Sequence, residues 1–139
     1  MKMKKKDNRI VKIRAKLKKD FGLSNSYYFT KYKDIKKYFK FFNKIIFKSA
    51  LLPFNDIEIK HLKKSWGQCV EYYCLRKGTK SFTLEMKYRY KNKKDFLETL
   101  VHEMIHYWQQ AIKRDNGNHN ALFFSFKPKL KSLGLNLTL

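Results

Sequence analysis

The chain has 139 residues, and its 33 lysines and arginines against 11 aspartates and glutamates give a net charge of +22. This length is typical of one domain, which can bury a hydrophobic core without disulfide bonds. Hydrophobic residues make up 43% of the chain and aromatic residues 17%, a composition that excludes a disordered protein. The charge indicates a partner that is a polyanion, such as nucleic acid.

Three further classes of protein are excluded by the sequence. It contains no run of about 18 apolar residues, so no membrane span is predicted. The basic N-terminus lacks the apolar stretch of a secretory signal, and we expect a cytoplasmic protein of a bacterial cell or a virus-infected host. Two cysteines, Cys69 and Cys74, are too few for a disulfide framework or a four-cysteine zinc site.

Two helices are predicted in the first part of the chain. Apolar residues recur at helical spacing within the basic residues 10–21, and we assign 1–24 to a basic N-terminal helix or arm. A single domain then covers 25–139. A stronger helical pattern runs from Tyr28 to Ile46, with the polar residues 24–26 as its expected N-cap.

Strands are predicted in the middle of the chain. Residues 56–61, 66–74 and 80–86 have patterns typical of strands, and the last two are separated by a short connection that contains glycine. Such a connection favours a hairpin. We therefore expect a small antiparallel three-stranded sheet.

The last part of the chain is predicted to be mainly helical. Asn92 is a suitable N-cap for a long helix over about 93–113. Residues 119–134 predict a final helix kinked by Pro128, and 135–139 predict a closing strand. The order of two helices, three strands and two helices indicates an α+β fold in which the sheet packs against helices.

The long helix contains the motif His102-Glu103-Met104-Ile105-His106, which is HExxH. Histidines four residues apart share one helix face, so both imidazoles can bind one Zn²⁺. Glu103 lies to the side of the pair, where a carboxylate can take a proton from an attacking water. The motif predicts a zincin-type active-site helix. The alternative is a pair of surface histidines, or a relic that binds no metal.

A catalytic zinc needs a third protein ligand and one open position. After His106 the only histidine, cysteine or acidic residues are Asp115 and His119. His119 follows an Asn-Gly turn that can reverse the chain, so we predict a site formed by His102, His106 and His119. Asp115 remains the alternative ligand, and His119 could instead be only the first residue of the next helix.

Four segments in this order resemble the SprT-like metalloprotease family, which includes the spartan proteases that digest proteins crosslinked to DNA. They are YFKFFNKIIFKSALLP, SWGQCVEYY, KKDFLETLVHEMIHYW and HNALF, within residues 38–138. HNALF is similar to the family's His-Gly-x-x-Phe, which supplies the third zinc ligand and matches it to His119. The resemblance implies a zinc metalloendopeptidase with DNA-linked protein substrates.

The sequence departs from the family pattern in two respects. Asn120 stands where the family usually has glycine, and we expect no C-terminal zinc ribbon after the domain. Contacts that the ribbon makes with DNA in relatives must therefore come from another part of this chain. The basic N-terminal segment is the candidate replacement.

Ten of the first twenty residues are lysine or arginine. A segment of this charge density binds DNA without sequence preference, because it releases counterions from the phosphates. The alternative is an ordinary solvated surface. The candidate contacts in this segment are Lys4, Lys5, Lys6, Arg9, Lys12 and Arg14.

Trp66 is a further candidate contact, next to Gly67. Core packing is the interpretation we favour for its ring. An exposed ring near the cleft would instead stack on an unpaired base or hold a substrate side chain.

A second function remains open for the whole chain. It would be a non-catalytic, basic nucleic-acid-binding protein, for example a virion-associated one, that uses the metal only for folding. A closed four-ligand site would favour that alternative, and an open position would favour the enzyme.

Overall fold

A computed structural model describes residues 5–21 and 26–138 and confirms the α+β class. None of the helices in these two ranges is long and apolar enough to cross a bilayer. In chain order the elements are α1 (Lys5–Phe21), β1 (Tyr28–Phe29), α2 (Tyr32–Ile46), β2 (Asp56–Lys60), β3 (Gly67–Cys74), β4 (Thr79–Lys87), β5 (Arg89–Tyr90), α3 (Lys93–Ala111), α4 (Ala121–Phe124) and α5 (Lys127–Ser132).

The three-stranded sheet has the order β2-β4-β3 and is mixed. The predicted hairpin is present, since β3 and β4 are antiparallel with Gly67 opposite Met86. The expectation of a wholly antiparallel sheet is wrong for β2, which pairs with β4 in parallel. The reason is that β4 inserts between β2 and β3, which run in opposite directions. A strand placed there is antiparallel to one neighbour and parallel to the other.

A second, two-stranded sheet changes the start of α2. Tyr28 pairs with Tyr90, so the chain is extended where we predicted the first turn of the helix. The helix begins at Tyr32 instead. The Tyr28 ring packs on Phe96 of α3, with centroids 4.5 Å apart. The apolar residue that we assigned to the helix face therefore packs against α3 from a strand. Residues 24–25 of the predicted cap lie outside the described residues.

The core is built around α3. Its fully buried apolar side chains are Phe96, Leu97, Leu100, Val101, Met104 and Ile105. Leu17 of α1 is also fully buried in this core. Part of the basic N-terminal segment therefore packs against the rest of the fold. The division into 1–24 and 25–139 stays a prediction.

The C-terminal part differs from the prediction in two places. The final helix is divided into α4 and α5, and Pro128 lies in the first turn of α5, where its missing N–H costs no hydrogen bond. Residues 135–138 form no strand. Instead, the Asn136 N–H donates to the buried Glu98 carboxylate at 2.5 Å, which holds this segment along α3. Leu139 lies outside the described residues.

Gly67 allows the first residue of β3 to lie close to α3. A Cβ at this position would come within 3.0 Å of Thr99 Cγ2, 3.2 Å of the Glu85 carbonyl oxygen and 3.3 Å of Met86 Sδ. Gly67→Ala is therefore expected to lower the free energy of unfolding by about 1–3 kcal/mol, measured by urea denaturation.

Thr99→Ser provides the control, because it removes Cγ2 and keeps the hydroxyl that donates to the Asp95 carbonyl. The double variant should recover part of the stability lost by Gly67→Ala, giving a non-additive cycle. Additive losses of stability, or no loss in Gly67→Ala, would mean that the contact with Thr99 does not restrict residue 67 to glycine.

Candidate metal centre

Helix α3 brings His102 and His106 together. It begins after Asn92, whose side-chain oxygen accepts the Asp95 N–H at 2.8 Å, as the sequence predicts for an N-cap. One turn apart on the helix, the two histidines place their Nε2 atoms 3.0 Å from each other. The HExxH motif therefore presents two imidazole nitrogens to one point.

His119 completes the cluster from the loop between α3 and α4. Its Nε2 lies 3.2 Å from that of His106 and 3.3 Å from that of His102. The loop reverses direction through positive φ angles at Arg114 and Gly117, of 52° and 76°. Together the three side chains could hold a metal ion.

Hydrogen bonds at the outer ring nitrogens fix the protonation of two histidines. The Thr138 carbonyl lies 2.7 Å from His102 Nδ1 and can only accept, so this nitrogen carries the proton. Gln109 Oε1 accepts from His106 Nδ1 at 2.9 Å in the same way. Both Nε2 atoms therefore present lone pairs, which repel each other at 3.0 Å unless a cation lies between them.

The spacing of the three nitrogens fits zinc. Ligands at about 2.0–2.1 Å around a tetrahedral zinc are separated by about 3.3–3.4 Å. The observed separations are 3.0, 3.2 and 3.3 Å. The alternative ligand Asp115 has another role, since its carboxylate accepts from Asn120 Nδ2 at 2.8 Å within the loop.

Burial keeps His102 and His106 neutral. It lowers the pKa of His102 to about 4, and the neighbouring His106 and His119 add to the effect. The pKa of His106 is also lowered by burial, against the hydrogen bond to Gln109. Neutral imidazole is the form that binds a metal, so the site is prepared for one near neutral pH.

Glu103 lines a cleft together with His102 of the cluster. The cleft has a volume of about 480 Å³, and Thr138, Trp66 and Lys64 also line it. Burial raises the pKa of Glu103 to about 8, opposed by a hydrogen bond from the Cys69 backbone. A carboxyl with a pKa near neutrality is suited to accept and return a proton.

Trp66 is at the rim of this cleft, with 56% of its surface exposed. The interpretation as a core residue is therefore wrong. Its backbone is held, since Tyr90 Oη donates to the Trp66 carbonyl, but the ring projects outward. Lys87 Nζ lies 4.3 Å from the ring centroid.

The other candidate contacts lie on or before α1. Arg9, Lys12 and Arg14 have exposed side chains on this helix. Lys5 and Lys6 belong to its first turns, and Lys4 lies outside the described residues. Their role with nucleic acid stays a prediction.

Sequence reasoning missed the roles of three residues that organise the site. Gln109 follows His106 by three residues and shares its helix face, a spacing that could have identified it. Asn120 caps α4, because its side-chain oxygen accepts the Phe123 N–H at 3.1 Å. Thr138 gave no signal, since its contact with His102 joins distant parts of the chain.

Comparison with known proteins gives one family match. The model described as the SprT-like family matches residues 35–138. This range contains the three histidines and Glu103, together with Gln109, whereas α1 precedes it. No curated protein sequence matches the chain.

After treatment with a chelator, the protein is expected to become less stable as the pH rises from about 6.5 to about 8. Folded Glu103 keeps its proton up to a pKa of about 8, whereas the same carboxyl in the unfolded chain is already ionised. The folded state thus binds more protons in this range, and the free energy of unfolding falls. Urea denaturation at the two pH values measures the change.

Glu103→Gln is the matched control, because it removes the titrating group and should show a smaller pH dependence. The range begins above about 6.5 because the lowered pKa of His102 has the opposite effect at lower pH. A wild-type midpoint that stays constant or rises with pH would contradict a buried, protonated Glu103.

Proposed function

The chain belongs to the SprT-like family, and we propose that it is a zinc metalloendopeptidase that cleaves proteins bound or crosslinked to DNA. The family is generally associated with metallopeptidases. The observation that carries the proposal is the convergence of three imidazole Nε2 atoms, within 3.3 Å of one another, next to Glu103.

Zinc is the proposed ion because of the donor set. Neutral imidazoles bind zinc, copper, nickel and iron, but metal-assisted peptide hydrolysis uses the metal as a Lewis acid and involves no redox change. Three protein ligands and one open position are typical of a catalytic zinc. His102, His106 and His119 would hold the ion.

The proposed reaction is hydrolysis of a peptide bond. A bound zinc supplies the Lewis acidity that polarises the scissile carbonyl. Glu103 takes a proton from the attacking water and passes it to the leaving amine. Glu103 as a whole residue is only 5% exposed, so bulk water competes little for this proton. Thr138 and Gln109 hold His102 and His106 in the tautomer that binds metal.

The non-catalytic alternative has less support. Structural zinc sites are nearly always closed by four protein ligands, whereas this cluster offers three histidines in the described part of the chain. A large cleft also opens beside Glu103. Both features favour an enzyme over a metal site that only stabilises the fold.

DNA is proposed as the means of selecting substrates. The charge of +22 attracts DNA, and α1 exposes Arg9, Lys12 and Arg14. At the rim of the cleft, the exposed Trp66 ring can stack on an unpaired base, and Lys87 and Lys64 are nearby for phosphates. Binding would concentrate an unselective peptidase beside proteins already on DNA.

Glu103→Gln is expected to keep zinc and lower peptidase activity by about 10²–10⁴-fold, because glutamine preserves the shape but cannot accept the proton. Cleavage of an unstructured protein and elemental analysis of zinc measure the two effects. His119→Ala is the comparison, and it should lose both zinc and activity. Activity of Glu103→Gln within a few-fold of wild type would exclude Glu103 as the base.

The triple variant Arg9→Gln/Lys12→Gln/Arg14→Gln is expected to flatten the salt dependence of duplex DNA binding. Each lost phosphate contact reduces the slope of log K against log salt by about 0.9, so a reduction of about 2–3 is expected. Fluorescence anisotropy at several salt concentrations gives the slope. Substitution is preferable to deletion of α1, because Leu17 is fully buried.

The control carries the same loss of charge on another helix, through Lys36→Gln/Lys40→Gln/Lys44→Gln on the exposed face of α2. It should change the slope less. The α1 variant should also slow cleavage of a DNA-bound protein and leave cleavage of a free unstructured protein unchanged. Equal slopes for both variants, or no DNA binding at low salt, would disprove the proposal that α1 directs the protein to DNA-bound substrates.

A further inference from the structure

We propose that Gln109 is a positioning residue that couples two of the three zinc ligands, an inference that rests on the proposed function. Gln109 is fully buried on α3, one turn after His106. Its side chain lies between that histidine and the loop that carries His119. A buried amide is costly unless both of its ends form hydrogen bonds, and here both do.

The oxygen end orients His106. Gln109 Oε1 accepts from His106 Nδ1 at 2.9 Å, which fixes the ring so that Nε2 faces the cluster. Loss of Gln109 removes this hydrogen bond, and the expected effect is a weakened site.

The nitrogen end holds the loop. Gln109 Nε2 lies 2.9 Å from the Asn118 carbonyl, 3.1 Å from Asn120 Oδ1 and 3.2 Å from Asp115 Oδ2. His119 lies directly between two of these acceptors in the chain. One side chain on α3 thus fixes the residues before and after the third ligand.

His119 depends on this support more than the other two ligands. Its imidazole packs on Phe123, with ring centroids 4.6 Å apart. Within residues 26–138, however, no hydrogen bond holds its Nδ1, unlike those of His102 and His106. The position of the loop therefore determines where His119 Nε2 lies.

Only an amide can perform both tasks at this position. Glutamate would still accept from His106, but it could not donate to the loop and would face the Asp115 carboxylate. Leucine would fill the space and form neither hydrogen bond. Gln109→Glu consequently separates the two roles, and Gln109→Leu removes both.

The test compares zinc affinity, measured by chelator competition, in folded wild type, Gln109→Leu and Gln109→Glu. Gln109→Leu is expected to bind one zinc about 10–100-fold more weakly, as for other residues that orient metal ligands. Gln110→Leu is the matched control, because the Gln110 side chain lies near Gly117 of the loop but, within residues 26–138, forms no hydrogen bond with a histidine of the cluster. It should stay within about threefold of wild type.

Gln109→Glu gives the more specific result. Nitrogen NMR of His106 should still report the Nδ1–H tautomer, while the visible spectrum of the cobalt-loaded variant should change because His119 is displaced. In a His119→Ala background, Gln109→Glu should weaken zinc binding little further, since the ligand that it positions is absent.

These results distinguish the inference from the proposed function. A wild-type protein that binds no zinc would overturn the proposed function together with this inference. Zinc affinity within about threefold of wild type in Gln109→Leu would overturn only the positioning role. If Gln109→Leu does not fold, Gln109→Glu decides: unchanged cobalt spectra, or effects additive with His119→Ala, would overturn it.

Discussion

Two imidazole lone pairs that face the same point repel each other, and the rest of the site is arranged to hold them there. His102 Nε2 and His106 Nε2 lie 3.0 Å apart. Neither ring can turn away without losing the hydrogen bond of its Nδ1 to the Thr138 carbonyl or to Gln109. The fold therefore maintains an arrangement that a cation makes favourable, which is the preorganisation that a metal site requires.

Burial on α3 favours the neutral form of both His102 and Glu103, with opposite consequences for the chemistry of the two groups. It lowers the pKa of His102 to about 4, and neutral imidazole is the form that binds metal. It also raises the pKa of Glu103 to about 8, which favours the protonated acid. A nearby positive charge favours the carboxylate. In the proposed function, metal binding would therefore ionise Glu103, which is largely protonated in the protein without metal.

The parts of the site that could be predicted from the sequence depend on spacing within one helix or on which residue types are present. The spacing of His102 and His106 and the Asn92 cap depend on one helix, and His119 followed from the scarcity of other ligands. The partners of these groups could not be predicted, because Thr138 reaches His102 across the fold. The predicted closing strand failed for the same reason: Glu98 on α3 takes the Asn136 N–H that a strand would have used. Similarly, β2 became parallel because β4 entered between two strands.

The packing around α3, which carries two histidines of the cluster, also determines the rim of the cleft. Tyr90 Oη accepts the Lys87 N–H at 3.1 Å and donates to the Trp66 carbonyl, so it fixes the backbone on both sides of the rim. Its ring packs against Phe96 on α3, with centroids 5.7 Å apart. The exposed Trp66 ring and α3 therefore share one buried support. In the proposed function, a base stacked on Trp66 and a peptide beside Glu103 would be held at a constant separation, so that DNA binding would itself position the protein substrate.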